Sequence, residues 1–141
     1  TGNPNQWPEG YPKKEVLEYH ITENSCYVIL DDKNTIHGAF VFYIGLDSAY
    51  DYIEGSWLNN KEYGVIHMVC SDGSIKGVFS SILNYVFNLC PNIRIDTYKD
   101  NKVMQHLLEK FGFTYCGIIY LEDKSPRLAY QKQLLKKNPL E

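Results

Sequence analysis

A strand-like run over residues 63–70 is followed by Ser71-Asp72-Gly73-Ser74-Ile75-Lys76-Gly77, a turn that opens a helical run. The first N–H groups of a helix have no partner within it and point at one spot, and the macrodipole adds positive potential there. Gly73 and Gly77 permit close backbone approach and Lys76 adds a charge, so this turn can hold a pyrophosphate with few basic side chains. An ordinary strand-to-helix turn fits the same residues. His67 lies in the preceding run, and imidazole, with a reference pKa of about 6.5, suits proton removal at neutral pH. A core histidine with a satisfied hydrogen bond is the other reading. His20, His37 and His106 show no ligand spacing with one another, so metal catalysis is not supported.

The elements that must position these groups follow from periodicity. Residues 1–12, with Pro4, Pro8, Pro12, Gly2 and Gly10 around Trp7 and Tyr11, predict an ordered loop pinned by its aromatics rather than a regular helix, and a short helix is expected from Pro12 to before Asn24. Residues 26–30 and 35–44 are rich in Val, Ile, Phe and Tyr and flank Asp31-Asp32-Lys33-Asn34, the pattern of a β-hairpin. Residues 46–62 form a long connection carrying Asp47, Tyr50, Tyr52, Gly55 and Trp57; such loops are often functional, and aromatics plugging a core edge explain it as well. Ile75, Val78, Phe79, Ile82, Leu83, Val86 and Phe87 recur at three and four, predicting a helix over 75–89. A strand at 93–97 precedes a second helix from about Asp100 to Phe111, stopped at Gly112. Residues 113–121 and 127–133 read as a second hairpin. The order β, β, β, α, β, α, β, β implies an α/β domain with a mixed sheet, helices on its faces, and the strands flanking the first helix parallel through a right-handed crossover.

Composition narrows the class. The 141 residues fit one domain, and 44% hydrophobic with 22% charged residues is the balance of an ordinary globular chain. A net charge of -3 leaves no cationic excess for a nucleic-acid backbone, and Lys132, Lys136 and Lys137 read as a solvated end. Cys26, Cys70, Cys90 and Cys116 make no C-x-x-C pair; Cys26, Cys70 and Cys116 sit in apolar runs as small hydrophobes, which fits a cytoplasmic protein. No secretory or membrane-spanning run is seen, and neither a nucleic acid nor a membrane is expected as partner.

Motifs then point to a family. Val69 stands eight residues before Gly77, and Ser74-Ile75-Lys76-Gly77-Val78-Phe79 occupies the place of a Q/R-x-x-G-x-G/A motif, with Ser74 for Gln or Arg and Phe79 for the final small residue. Asn101 lies eleven residues before Gly112-Phe113, and Glu109-Lys110-Phe111-Gly112-Phe113 resembles the end of an N-x-x-A-x-x-L-Y-E-K-x-G-F helix. These segments resemble the GNAT superfamily of N-acetyltransferases. Gly2-Asn3-x-x-Gln6-Trp7, Arg94-Ile95-Asp96-Thr97, Tyr115-Cys116-Gly117-Ile118-Ile119-Tyr120 and Arg127-Leu128-Ala129-Tyr130 look like one of its bacterial subgroups, so the likeness spans nearly the whole chain. By that pattern a first strand and helix precede Gln6-Trp7, and residues 1–141 are expected to be a single domain lacking them. A sheet edge left exposed by that loss would favour self-association as a homodimer or lower stability.

The resemblance implies acetyl transfer from acetyl-CoA, as co-substrate, to a primary amine on a small molecule or peptide. It places the pantetheine arm in a V-shaped opening beside Val69, with Ser71 at that edge, the pyrophosphate on the N–H groups of Ser74, Ile75, Lys76, Gly77, Val78 and Phe79, and Asn101 on the arm. Asn101 also reads as a polar residue at a helix start. Family members often use an acidic base on the fourth or fifth strand; here His67, with the parity of Val69, is the first candidate, followed by Asp96, which can instead orient Arg94, and by Glu62. The family's tyrosine acid falls on Leu108, leaving that role unfilled. Trp7, Tyr11, Tyr43, Tyr50, Trp57 and Tyr120 are candidates for the acceptor wall. Ser74, Phe79 and Leu108 also keep open an acyl-CoA-binding module without turnover, or an interaction domain.

Overall fold

The structure, a computed structural model, describes Ile21 and residues 23–135. The loop expected over 1–12 lies outside those residues, as does nearly all of the helix expected after it. Seven strands and two helices follow in order: β1 (Cys26–Leu30), β2 (Ile36–Ile44), β3 (Glu54–Gly55), β4 (Gly64–Ser71), α1 (Val78–Leu89), β5 (Asn92–Thr97), α2 (Lys102–Lys110), β6 (Thr114–Tyr120) and β7 (Pro126–Gln133). The helix expected from Ile75 starts at Val78, because Gly77 takes the left-handed conformation at the cap and leaves Ile75 in the exposed loop before it. The two-residue strand β3, pairing with β6, was not anticipated inside the long connection; it is too short to carry an alternation.

One sheet holds all seven strands in the order β1-β2-β4-β5-β7-β6-β3. Its parallel pair is β4 with β5, joined through α1, as the pattern of elements predicts. The α1 face gathers Phe40, Phe42, Ile66, Ile93, Ile95 and Tyr130 under Ile82, Leu83 and Val86 of α1 and Leu108 of α2. Burying each such aliphatic side chain is worth about 1.5–3 kcal/mol, so both helices are held chiefly by this apolar face. The opposite face packs Val65, Ile119 and Ala129 against Tyr50 and Tyr63, bracketing the connection between β2 and β4. No helix of the described residues is long and apolar enough to cross a membrane.

Two irregularities set up the opening. β4 and β5 pair only at Gly64 with Ile93, Val65 with Arg94 and Ile66 with Ile95. Beyond Ile66, β4 continues against β2 alone to Ser71. Across from Phe40, β4 carries an extra residue, since Ala39 faces Cys70 while Val41 faces His67, and Met68 there has φ 54°. A bulge adds twist and bends its strand, and here it lies just where β4 leaves β5.

Candidate active site

The gap between the parted ends of β4 and β5 is a slot lined in part by His67, Val69, Asp96, Thr97, Asn101 and Arg127. Its geometry matches the expected splay of the parallel pair. The bulge corrects one expectation: His67 and Val69 do not share a face. Val69 packs with Ile66 and the α1-side core, whereas the His67 ring lies near Tyr43 and Tyr50 on the other side. One inserted residue reverses the facing of every side chain after it.

On that second face the side chains form a charged network. His67 Nε2 lies 2.8 Å from Asp47 Oδ2, and Nδ1 lies 3.8 Å from Asp96 Oδ1. Asp47 stands just past β2, where its Oδ1 caps a 3-10 turn at Ser48–Tyr50 by accepting from the Ala49 N–H at 2.9 Å. The Tyr43 hydroxyl donates to Asp47 Oδ2 at 2.5 Å, and the Asp47 N–H donates to the Tyr63 hydroxyl at 3.0 Å. Asp96 accepts from the Tyr50 hydroxyl at 2.7 Å and pairs with Arg127 at 3.2 Å. Asp96 therefore does not orient Arg94. The Arg94 guanidinium is held between the rings of Trp57 and Tyr63, 4.2 and 4.0 Å from their centroids, and donates to the Asn59 carbonyl at 2.8 Å.

The electrostatics are mutually consistent. Burial alone would depress the His67 imidazolium, but the hydrogen bond to Asp47 and the charges of Asp96 and Asp47 override it, so its pKa is raised above 6.5. Burial likewise works against the Asp47 carboxylate, yet its bonds from His67 and Tyr43 hold it down at about 2. Burial first, then the Asp96 carboxylate, drives the Tyr50 phenol well above its usual value. Each partner thus favours the charged form of the other, with the His67 side chain 24% exposed.

Asn101 caps α2, its Oδ1 accepting from the Met104 N–H at 3.1 Å, while the residue also lines the slot, so both of its readings are compatible. The neighbouring Thr97 hydroxyl is buried with no hydrogen-bond partner. At the mouth, Ser71 Oγ accepts from the Gly73 N–H at 3.1 Å, and the Ser74 N–H donates to Asp72 Oδ1 at 2.9 Å. The Ser74 N–H is therefore already engaged. Within α1 the first bond runs from the Ser81 N–H to the Gly77 carbonyl, which leaves the N–H groups of Val78 and Phe79 without an acceptor in the helix. A Cβ at Gly77 would meet nothing within 4 Å, so its backbone is open to approach. The Phe79 side chain turns inward onto Phe111, so its bulk does not cover the helix start. Ile75 and Lys76 are exposed in the loop, as is Cys70 at the end of β4, contrary to the hydrophobe expected there.

Leu108 is fully buried in the α1-side core, away from the slot wall that α2 builds with Met104. Glu62 is exposed and outside the slot. Of the aromatic candidates, Tyr50 and Trp57 belong to the core around Arg94, Tyr43 serves Asp47, and Trp7 and Tyr11 lie outside the described residues. Sequence reasoning gave Asp47 and Arg127 no role. A signal for Asp47 exists: β2 and β4 run antiparallel, so a carboxylate just past the end of β2 adjoins the start of the strand that carries His67.

A mixed seven-stranded sheet whose parallel pair parts into a slot, with helices packed on it, matches GNAT-like folds. An acetyltransferase of the GNAT family from Streptococcus agalactiae 2603 is 31% identical over 93% of this chain and 78% of its own, with a TM-score of 0.80. The chain belongs to the GNAT family of acetyltransferases. A candidate acetyltransferase from Staphylococcus aureus Mu50 is 28% identical, covering 87% of this chain and 81% of its own at a TM-score of 0.65. An aminoglycoside 6'-N-acetyltransferase complexed with coenzyme A shares the fold alone, at 12% identity, a TM-score of 0.61, and coverage of 94% and 86%. No protein-family model matches the sequence, and no curated protein matches it.

Proposed function

We propose that the chain transfers the acetyl group of acetyl-CoA to a primary amine by direct attack, with His67 as the base. The observation that carries this is the His67–Asp47 contact on the wall of the slot. The pantetheine arm lies along β4 beyond Ile66, where the backbone has no partner on its β5 side, and the Asn101 side chain and Thr97 hydroxyl are polar partners within reach of that slot. The pyrophosphate takes the start of α1, through the N–H groups from Ile75 to Phe79, with Lys76 beside it and Val69, Ser71 and Ser74 shaping the approach. The coenzyme A held by an aminoglycoside acetyltransferase of this fold supports the donor assignment.

With its Nε2–H given to Asp47, neutral His67 presents the Nδ1 lone pair. Nδ1 takes the proton that the amine must lose; nitrogen bonds to the thioester carbon, and the carbon–sulfur bond breaks to release CoA thiolate. The imidazolium formed has Asp47 on one side and Asp96 on the other, so positive charge develops where two carboxylates already stand. Arg127 and Tyr50 fix Asp96, which makes that carboxylate a partner of the imidazolium rather than a separate base. Leu108 supplies no acid, so the thiolate leaves unassisted.

Thiol release measured across an amine panel tests the reading. His67→Ala is expected to lower kcat by roughly 10²- to 10⁴-fold while CoA still binds. Because the His67 pKa is raised, the acidic limb of the wild-type profile should lie above 6.5. Unchanged turnover per folded molecule in His67→Ala would remove the histidine from the mechanism.

A further inference from the structure

A second histidine, remote from the slot wall, is gripped on both ring nitrogens. His37, near the start of β2, has Nε2 2.7 Å from Asp31 Oδ2. Its Nδ1 lies 2.9 Å from Asp72 Oδ2 and 2.8 Å from Ser74 Oγ. Asp31 belongs to the β1–β2 turn, where its Oδ1 accepts from the Lys33 and Thr35 N–H groups. Asp72 and Ser74 belong to the loop between β4 and α1. Asp72 also donates its N–H to the His37 carbonyl at 3.0 Å, so the loop is tied to β2 by main chain and side chain together. From the α1 side the nearby residue is the uncharged Val78, in contact range of the adjoining Gly38.

We infer that His37 is a positioning residue for the cofactor loop: as an imidazolium it fastens residues 71–77 to the β1–β2 turn, and its charge offsets the Asp72 carboxylate beside the pyrophosphate. Carboxylates only accept, and neutral imidazole has a single N–H, so it can serve Asp31 or Asp72 but not both. Only the imidazolium donates from both nitrogens. The shifts agree in direction: the Asp31 bond raises His37 above 6.5, the bond from Ser74 leads in holding Asp72 at about 2, and the bond from His37 leads in lowering Asp31. When His37 loses its proton, the loop loses one fastening and the anion site gains an uncompensated negative charge. Cofactor binding should therefore weaken as pH rises through the His37 pKa. This rests on the proposed placement of the pyrophosphate.

Calorimetric titration with dephospho-CoA checks it, because that ligand keeps the pyrophosphate but lacks the 3'-phosphate that itself titrates near neutrality. Wild type is expected to bind several-fold more weakly at alkaline than at mildly acidic pH. His37→Gln should bind weakly throughout, without that pH dependence. Asp72→Asn, an exposed change that keeps an acceptor for the Ser74 N–H, should bind more tightly than wild type at alkaline pH and move the midpoint to lower pH. It tests the idea even should His37→Gln fail to fold. Wild type that binds no dephospho-CoA overturns the cofactor reading itself. Binding with the wild-type pH dependence retained in His37→Gln, or in Asp72→Asn with no gain at alkaline pH, overturns the assignment of His37 alone.

Discussion

Asp47 and Asp96 differ in what they can do for His67. Asp47 touches the ring at hydrogen-bond distance and is itself fixed by Tyr43 and Ala49, whereas Asp96 lies 3.8 Å off and is engaged by Tyr50 and Arg127. Asp47→Asn removes the strongest influence that raises His67 while the burial that lowers it stays. The acidic limb of the rate profile should therefore move to lower pH. Turnover on the alkaline plateau should fall by less than the roughly 10²- to 10⁴-fold expected for loss of the base, because Nδ1 remains. A pH–rate profile in which the limb stays in place would separate Asp47 from the chemistry. At this scale the sequence exposed identities but not partners. His67 and Asp96 were candidates from their strands, yet Asp47 is 20 residues from His67 and only the pairing of β2 with β4 brings them together. The facing of His67 relative to Val69 was beyond a parity argument, since Met68 inserts a residue that leaves no mark in composition.

Elements were more legible than their irregularities. The hairpins, both described helices and the parallel pair follow from apolar spacing and turn residues, with boundaries shifted by a few positions. The strand β3 and the bulges were not legible, because each depends on close backbone approach between distant segments. Gly117 shows why: it has φ 140°, and a Cβ there would come within 2.1 Å of the Glu54 carbonyl oxygen. Gly45 has the same φ with open space around it. Gly117→Ala should therefore cost about 1–3 kcal/mol or more and exceed Gly45→Ala, as read from urea unfolding. Equal losses at the two positions would show that the β3–β6 contact contributes little.

For the whole molecule, the charged clusters set a stability window. His37 and His67 have folded pKa values raised above 6.5, so their contribution is full below the unfolded value and is lost as pH rises through the folded ones. Asp47 and Asp72 are lowered from 3.8 to about 2, so their contribution is present above 3.8 and is lost as pH falls toward 2. The thermal midpoint should hold between those limits and decline on the alkaline side, and a His37→Gln, His67→Gln double variant should lose most of that alkaline decline. The fold also divides along its slot. One wing is β1, β2 and β4; the other is β5, β7, β6 and β3, and in the sheet they meet only at the three residue pairs joining β4 to β5. Each wing is nearly contiguous in sequence, with one exception. The chain leaving β2 crosses the second face and ends as β3 on the outer edge of the far wing, carrying Asp47 and Tyr50 on the way. It is a strap anchored in β2 at one end and on β6 at the other, so the segment that brings Asp47 to His67 also joins one wing to the other.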